Sequence, residues 1–255
     1  MRLVIFSDLD GTLLDHETYS YAPAKPALER IARHGLPLVL ASSKTAAEVQ
    51  ALHQELGLTA PAIVENGAGL FVPGMPLAES NNYARIREAL AELPETLRSG
   101  FVGFGDLGTA GIVQATGLPA DAAARAADRQ FSEPGLWEGS PDDLQAFLAA
   151  LAERGISARR GGRFLTLSFG KTKADQMQTV MSQLNAERSL ALGDAPNDVE
   201  MLEAADLGVI VQNARAQSIP PLAGERAGTI IRTEDAGPTG WNWAVLRLLT
   251  EAGYT

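Results

Sequence analysis

The sequence predicts an α/β fold in which a doubly wound, Rossmann-like parallel sheet carries an inserted α+β domain. Short apolar runs alternate with amphipathic helical segments through residues 1–80 and again through residues 169–255. Between these parts the alternation is lost, and the period-two pattern of residues 165–169 indicates antiparallel strands. We therefore expect a core of residues 1–80 and 169–255 with an inserted domain of residues 81–168.

Composition narrows the class of protein. The 255 residues include 45% hydrophobic and 20% charged residues, as in an ordinary globular chain. The absence of cysteine excludes disulfides and thiolate catalysis, and only three histidines are present, so a bound metal should have oxygen ligands, as Mg²⁺ prefers. A net charge of -10 argues against nucleic-acid and anionic-membrane partners. With no leader-like or membrane-length apolar run in the sequence, we expect a cytoplasmic enzyme.

The first strand delivers two carboxylates. Leu3 to Phe6 form an apolar run, and Asp8 and Asp10 follow it before Gly11 breaks the strand. The carboxyl ends of parallel strands are where open α/β sheets bind their ligands. A turn with a helix cap is the alternative interpretation of such an aspartate pair.

A second strand, over 36–41, ends in hydroxyl side chains. It follows a helix over 23–34 that Gly35 closes, and Ser42 comes directly after it. Thr45 and Glu48 then form a capping box for the next helix. Free amides and the helix dipole favour an anion at such a point, so we expect a phosphate near Ser42. A third strand over 62–64, a turn over 65–67 and a strand over 70–72 predict a hairpin.

The inserted domain is predicted to contain helices over 82–93 and 121–129 and from Ser140 onward. Strands are expected over 101–104 and 110–113, followed by a hairpin of 157–160 and 163–169. The core pattern then returns with a helix over 172–184, a strand over 189–192, two strands over 207–211 and 229–231, and a helix over 241–251. Asp194 and Asp198 follow the 189–192 strand, where several carboxylates in one cleft would need a divalent cation. A capped loop is the alternative there.

The segment Asp8-Leu9-Asp10-Gly11-Thr12, together with Asp194, resembles the haloacid dehalogenase superfamily of phosphatases. The resemblance implies a core with a cap of the C2 type, Asp8 as nucleophile and Asp10 as acid and base. It also implies Mg²⁺ held by Asp8, the Asp10 backbone carbonyl, Asp194 and Asp198. Ser42 and a lysine would bind the phosphate. Lys-Thr-Lys-Ala resembles the superfamily's Lys-Gly-x-Ala, with Thr172 in place of the glycine, which makes Lys171 the first choice and Lys173 the second.

Several further stretches resemble the mannosyl-3-phosphoglycerate phosphatases, the most specific being Arg129 to Pro134 and Gly237 to Asn242. Such a substrate carries a phosphate, a carboxylate and a hexose, and so requires a second cationic group. The substrate-binding candidates are Lys44, Asn66, Arg129, Ser132 and Glu133. Arg163 is a further candidate, for which a surface charge is the favoured interpretation.

Other functions stay open at this point. A glucosyl-3-phosphoglycerate phosphatase or a broader sugar-phosphate phosphatase would share these motifs. A phosphomannomutase-like isomerase has the same core and a similar cap. A ligand-binding protein without activity is disfavoured because Asp8, Asp10, Lys171 and Asp194 are all present. The sequence leaves the oligomeric state undetermined.

Overall fold

The computed structural model describes residues 2–161 and 163–255 of the chain. Its strands are β1 Leu3–Ser7, β2 Leu38–Leu40, β3 Ala62–Val64, β4 Gly69–Phe71, β5 Phe101–Gly103, β6 Glu133–Trp137, β7 Ser157–Gly161, β8 Phe164–Ser168, β9 Arg188–Gly193, β10 Leu207–Gln212 and β11 Ile230–Ala236. Its α-helices are α1 Lys25–Arg33, α2 Ala46–Glu55, α3 Asn82–Ala91, α4 Glu95–Arg98, α5 Phe104–Thr116, α6 Ala120–Ala127, α7 Pro141–Ala152, α8 Lys173–Leu184, α9 Val199–Ala204, α10 Ala223–Ala227 and α11 Gly237–Glu251.

The core is a five-stranded parallel sheet in the order β11-β10-β9-β1-β2. The side chains of β1 alternate between its two faces: Ile5 packs in the cluster that contains α1 and α11, and Phe6 in the cluster that contains α8 and α9. Because helices cover both faces, every residue of β1 is buried. The doubly wound sheet predicted from the sequence is confirmed, with the first strand between β9 and β2.

The predicted hairpin after the third strand is also confirmed. β3 and β4 pair antiparallel, and a bridge between Ala41 and Ile63 places β3 beside the end of β2. The connecting turn contains Glu65, Asn66 and Gly67, all with positive φ, of 49°, 58° and 96°. Two non-glycine residues in the left-handed region cost about 1 kcal/mol or more each, so surrounding contacts must hold this turn in place.

The inserted part contains a separate antiparallel sheet in the order β5-β6-β8-β7. α3 and α7 pack on it through an apolar cluster that includes Ile86, Phe101 and Phe147. A second cluster joins α5 and α6 around Phe104 and Ile112. The predicted α+β cap is therefore present, and its boundaries at residues 81 and 168 stay predictions.

Two local predictions in the cap are wrong. Residues 110–113, expected as a strand, lie in α5 after its kink at Gly108, where Ile112 alone of the four is buried and packs in the same cluster as Phe104. β6 was not predicted because it contains Pro134 and Gly135, which disfavour strands. Gly135 pairs with β5 but Pro134 does not. The pairing with β5 is therefore complete although proline has no N–H to donate. Gly135 is needed because a Cβ there would lie 2.4 Å from the Phe101 ring.

One ionic network fixes the start of α5 within the cap. The Asp106 carboxylate accepts hydrogen bonds from Arg87 at 2.6 Å, from Arg98 at 2.5 Å and from the Gly103 amide at 2.9 Å. Partial burial raises the pKa of Asp106, but the hydrogen bonds from Arg87 and Arg98 outweigh it and bring the pKa from 3.8 to about 2. The folded state is therefore stabilised by the ionised form of this carboxyl.

We expect Asp106→Asn to lower the free energy of unfolding by about 1 kcal/mol at neutral pH, a value discounted for partial exposure. Because the folded pKa is the lower one, this contribution is complete above about pH 4 and is lost as the pH falls toward about 2. Urea unfolding of wild type, Asp106→Asn and the exposed control Asp142→Asn at several pH values measures it. A difference that stays constant down to pH 2 would contradict the assignment.

Candidate active site

Three buried carboxylates meet at the carboxyl edge of the core sheet. Asp8 follows β1, Asp194 follows β9, and the two strands are neighbours, with the Asp8 amide donating to the Leu192 carbonyl at 2.9 Å. One carboxylate oxygen each from Asp8, Asp194 and Asp198 lie within 4.8 Å of one another. The structure therefore brings together three of the residues that the sequence predicts for a metal site.

Two of these carboxylates are fixed by dedicated hydrogen bonds. Asp194 accepts from the Thr12 hydroxyl at 2.6 Å and from the Asn213 amide at 2.7 Å. Asp198 accepts from the backbone amides of Asp194 and Ala195, both at 3.1 Å. Their orientations are consequently set before any ligand arrives.

Lys173, and not Lys171, completes this cluster. Its ammonium donates to Asp8 Oδ1 at 2.6 Å and to Asp198 Oδ1 at 2.7 Å, and its side chain is 1% exposed. Thr172 caps α8 through a reciprocal hydrogen-bond pair with Asp175, so Lys173 is the first helical residue and points inward. Lys171 precedes the cap and is exposed. The structure therefore reverses the preference that the sequence motif gave to the two lysines.

Burial dominates the electrostatics of the cluster. It raises the pKa of Asp8 well above the usual value, the charges of Asp198 and Asp194 raise it further, and Lys173 opposes the shift. Burial also raises the pKa of Asp194, against hydrogen bonds from Thr12 and Asn213. For Lys173, burial lowers the pKa, but Asp198 and Asp8 outweigh this and leave it raised. Three carboxylates face one ammonium in this cluster. The excess of negative charge suits a divalent cation that takes oxygen ligands.

Asp10 lies beside the cluster rather than in it. Its carboxylate pairs with Lys44 at 2.9 Å, and its Oδ1 atom is buried with no hydrogen-bond partner among the described residues. The carboxylate is thus not one of the grouped metal ligands, and the backbone carbonyl of Asp10 as a ligand stays a prediction. Burial lowers the pKa of Lys44, but Asp10 and Glu48 raise it more, so this lysine retains its charge.

Ser42 and Asn66 have different surroundings. The Ser42 side chain is buried and its hydroxyl oxygen accepts from the Lys44 amide at 3.2 Å, so a phosphate contact there stays a prediction. Asn66 lines the cleft described below and accepts from the Asn197 amide at 3.2 Å.

Glu65 ties the core to the segment that follows α6. Its buried carboxylate accepts from the backbone amides of Gln130 and Phe131 at 3.0 and 3.2 Å and from the Ser132 hydroxyl at 2.6 Å. The guanidinium of Arg129 lies 3.7 Å from the same carboxylate. This contact holds residues 129–132 of the inserted part against the turn of the core hairpin.

Ser132 and Glu133 lie outside the site, contrary to the expected contacts with substrate hydroxyls. Both are fully buried, and neither lines the cleft. Ser132 bonds to Glu65, as described above. Glu133 instead accepts from Arg87 at 2.8 Å and from the Gly105 amide at 2.9 Å. Within the motif 129–134, Ser132 and Glu133 therefore support the structure, and Arg129 and Pro134 line the cleft.

A cleft of about 330 Å³ opens above the carboxylates, between the core and the cap. Arg129 reaches it with a side chain that is 8% exposed; Nη1 donates to the Ser43 carbonyl at 3.0 Å, and Nε is buried with no partner among the described residues. Arg163 also lines the cleft, with its guanidinium 5.5 Å from the Phe164 ring centre. Arg163 is exposed where it lines the cleft, so its part in substrate binding stays a prediction.

Sequence reasoning missed several residues that organise the site. Thr12 ends the motif Asp8-Leu9-Asp10-Gly11-Thr12 and Asn197 lies between Asp194 and Asp198, but neither was given a role, and Glu65 was taken as part of a turn. Asn213 could have been found, since it follows β10 directly and polar residues at the carboxyl ends of parallel strands share one edge. No local signal marks Glu65, whose carboxylate contacts residues at least 64 positions away in the chain.

A doubly wound core with a cap and a buried aspartate–lysine cluster is typical of one class of hydrolases with a Rossmann-like core. Residues 5–96 and 141–220 match the family model described as haloacid dehalogenase-like hydrolase. The glucosyl-3-phosphoglycerate/mannosyl-3-phosphoglycerate phosphatases of Persephonella marina and Methanococcoides burtonii are 36% and 31% identical, each over 98% of both chains. The sucrose-phosphatase of Synechocystis, solved with sucrose and phosphate, has a similar fold, with a TM-score of 0.66 at 17% identity over 98% of this chain and 97% of that one.

The chain belongs to the haloacid dehalogenase-like hydrolase family. The resemblance to its mannosyl-3-phosphoglycerate phosphatases is confirmed, and with it the class of phosphoric monoester hydrolase. Within the described residues, none of the helices has the length and apolar character needed to cross a membrane.

The position of Lys173 leads to a prediction for the two lysines. We expect Lys173→Met to lower kcat for p-nitrophenyl phosphate by about 100-fold or more, because it removes the ammonium that pairs with Asp8. Lys171→Met, the matched control, should retain kcat within about twofold, since its side chain is exposed. Thermal unfolding of both variants distinguishes loss of fold from loss of activity. A folded Lys173→Met protein with wild-type kcat would contradict the assignment.

Proposed function

We propose that this protein is a Mg²⁺-dependent phosphatase of glucosyl- or mannosyl-3-phosphoglycerate that works through an aspartyl phosphate. The observation that carries the proposal is the cluster of Asp8, Asp194, Asp198 and Lys173 at the base of a cleft that also contains two arginines. The names of the two relatives support the substrate class. Both are phosphatases, which favours hydrolysis over the mutase alternative.

Asp8 is the nucleophile in this mechanism. Lys173 holds Oδ1, and Oδ2 has no hydrogen-bond partner among the described residues, which leaves it available to phosphorus. Attack forms a bond between this oxygen and phosphorus while the bond from phosphorus to the glycerate oxygen breaks. Water then attacks the aspartyl phosphate, releases phosphate and restores the Asp8 carboxylate.

Asp10 moves the protons in both steps. It lines the same cleft as Asp8, and Lys44 fixes one of its oxygens at 2.9 Å. Its buried, unpartnered Oδ1 is available to give a proton to the departing glycerate oxygen and then to take one from the attacking water. The first step releases glycosylglycerate with an uncharged hydroxyl group in place of the phosphate ester, and the second regenerates the protonated acid.

A divalent cation fits the donor set of Asp8 and Asp194, with the Asp10 carbonyl as the proposed third protein ligand. When bound, such an ion neutralises charge and polarises the phosphoryl group. Asp198 supports the site from behind, since its two oxygens are engaged by Lys173 and by backbone amides. We propose Mg²⁺ because all the candidate ligands are oxygens.

The substrate's carboxylate requires cations away from the phosphate site. Arg129 is largely buried and has an unpartnered Nε, and Arg163 lies on the β7–β8 side of the same cleft. Arginine binds carboxylates through two parallel hydrogen bonds, so either residue suits this group. Lys44 is already paired with Asp10, which makes it the weaker candidate for the carboxylate.

The first test is phosphate release from glucosyl-3-phosphoglycerate, mannosyl-3-phosphoglycerate and simple sugar phosphates, with Mg²⁺ or with EDTA. We expect turnover of the two glycosyl-phosphoglycerates that EDTA abolishes. Asp8→Asn should reduce kcat by about 10⁴-fold, because it removes the nucleophile. Asp15→Asn, in the same loop but outside the cleft, should retain activity. Equal turnover of all substrates would contradict the proposed substrate class, and an active Asp8→Asn variant would contradict the proposed mechanism.

The arginines are tested by comparing two kinds of substrate. We expect Arg129→Gln and Arg163→Gln each to raise KM for glucosyl-3-phosphoglycerate by about tenfold, because a charged hydrogen bond of about 1.5 kcal/mol is lost. KM for p-nitrophenyl phosphate, which has no carboxylate, should change less than twofold. Arg160→Gln is the exposed control on β7. Equal effects on both substrates would assign the arginines to the phosphate or to the fold.

A further inference from the structure

The segment Gly237 to Asn242 has no part in the chemistry proposed above, yet it lies directly behind the nucleophile. It begins α11, whose Trp241 is fully buried in the cluster on one face of the core sheet. We propose that Trp241 and Ser7 are positioning residues that hold the backbone of Asp8. The inference rests on the proposed role of Asp8 as nucleophile.

A chain of two buried hydrogen bonds joins the three residues. The indole Nε1 of Trp241 donates to the Ser7 hydroxyl at 2.9 Å, and that hydroxyl donates to the Asp8 carbonyl at 2.7 Å. Both Trp241 and Ser7 are 0% exposed. Because an indole N–H can only donate, the hydroxyl must accept from it, and its single proton is left for Asp8. Trp241 thereby sets the direction of the Ser7 hydrogen bond.

Asp8 is then fixed at three points. Its amide donates to Leu192 of β9 at 2.9 Å, its carbonyl accepts from Ser7, and its carboxylate accepts from Lys173 at 2.6 Å. Attack on phosphorus requires the nucleophile to lie in line with the bond that breaks, and a misplacement near 1 Å can cost about 100-fold in rate. The carbonyl contact controls the peptide that leads from Asp8 toward Asp10, so both carboxylates depend on it.

Other residues of the segment place the tryptophan. Asn242 accepts from the Ala27 amide at 3.0 Å and so attaches α11 to α1. Gly240 lies against the backbone of β11, where a Cβ would come within 2.0 Å of the Asp235 carbonyl oxygen. Gly237 has a φ of +52°, at the point where the chain turns from β11 into α11. These contacts let the helix approach β1 closely enough for Trp241 to reach Ser7.

The experiment compares Trp241→Phe, which keeps most of the aromatic volume but loses the N–H, with Ser7→Ala and the double variant. We expect each single variant to lower kcat for p-nitrophenyl phosphate about tenfold with KM changed less than twofold. The double variant should lose no more than either single one, because all three break the same chain. The substrate is chosen because it lacks the carboxylate that the arginines are proposed to bind.

Two controls separate positioning from loss of packing or stability. Trp137→Phe removes an indole N–H that donates to the Ser140 carbonyl in the cap, and Ser189→Ala removes a buried hydroxyl that donates to Asp206. Both should retain kcat at 25 °C even where their thermal midpoint falls. Ser7→Ala also keeps the proposal testable should Trp241→Phe fail to fold.

Wild-type kcat in folded Trp241→Phe and Ser7→Ala would overturn the inference, as would losses that multiply in the double variant. Equal losses of kcat in the two controls would also overturn it, since the lower kcat of Trp241→Phe and Ser7→Ala would then follow from lower stability alone. An active Asp8→Asn would instead reject the proposed function, and the two failures are therefore distinguishable.

Discussion

The structure depends on placing three carboxylates and one ammonium out of water at a single edge of a sheet. Each buried charge costs several kcal/mol unless a partner compensates it. The protein meets this cost locally: Lys173 contacts Asp8 and Asp198, and Thr12 and Asn213 donate to Asp194. These partners come from the first loop, the start of α8 and the end of β10, and Asp194 itself follows β9, so the arrangement of the whole core is needed to bring them together.

The hairpin turn of the core connects this arrangement to the cap. Glu65 holds the segment before β6, the Asn66 side chain accepts from Asn197 in the loop of Asp198, and Gly67 packs so closely on Thr172 that a Cβ would lie 2.1 Å from its backbone. Contacts in three directions thus stabilise a turn whose three successive residues all have left-handed backbone conformations. The turn sets the relative positions of the segment before β6, the loop that contains Asp198 and the start of α8.

The parts that sequence reasoning predicted are those with local causes. Asp8 and Asp194 follow apolar strands, and the rule that parallel strands end at one edge brings them together. The superfamily spacing favoured Lys171 over Lys173. Thr172 caps α8, which makes Lys173 the first helical residue and brings it to Asp8, and the phosphate-binding role of either lysine stays a prediction. Ser132 was misassigned because its motif marks a family without saying which side chains face the substrate. Its partner, Glu65, lies 67 residues earlier in the chain, and only the folded structure shows that contact.

The position of β1 has a consequence for how the chain is made. This strand pairs with β2, which follows after about 30 residues, but its other neighbour, β9, begins only at Arg188. During synthesis this fully buried strand therefore keeps one open edge until nearly three quarters of the chain has been translated. An unpaired edge of this kind is a template for association between nascent chains. The cap, whose strands all lie between residues 101 and 168, can complete its own sheet first, so folding of the enzyme is expected to begin in the part that lies outside the carboxylate cluster.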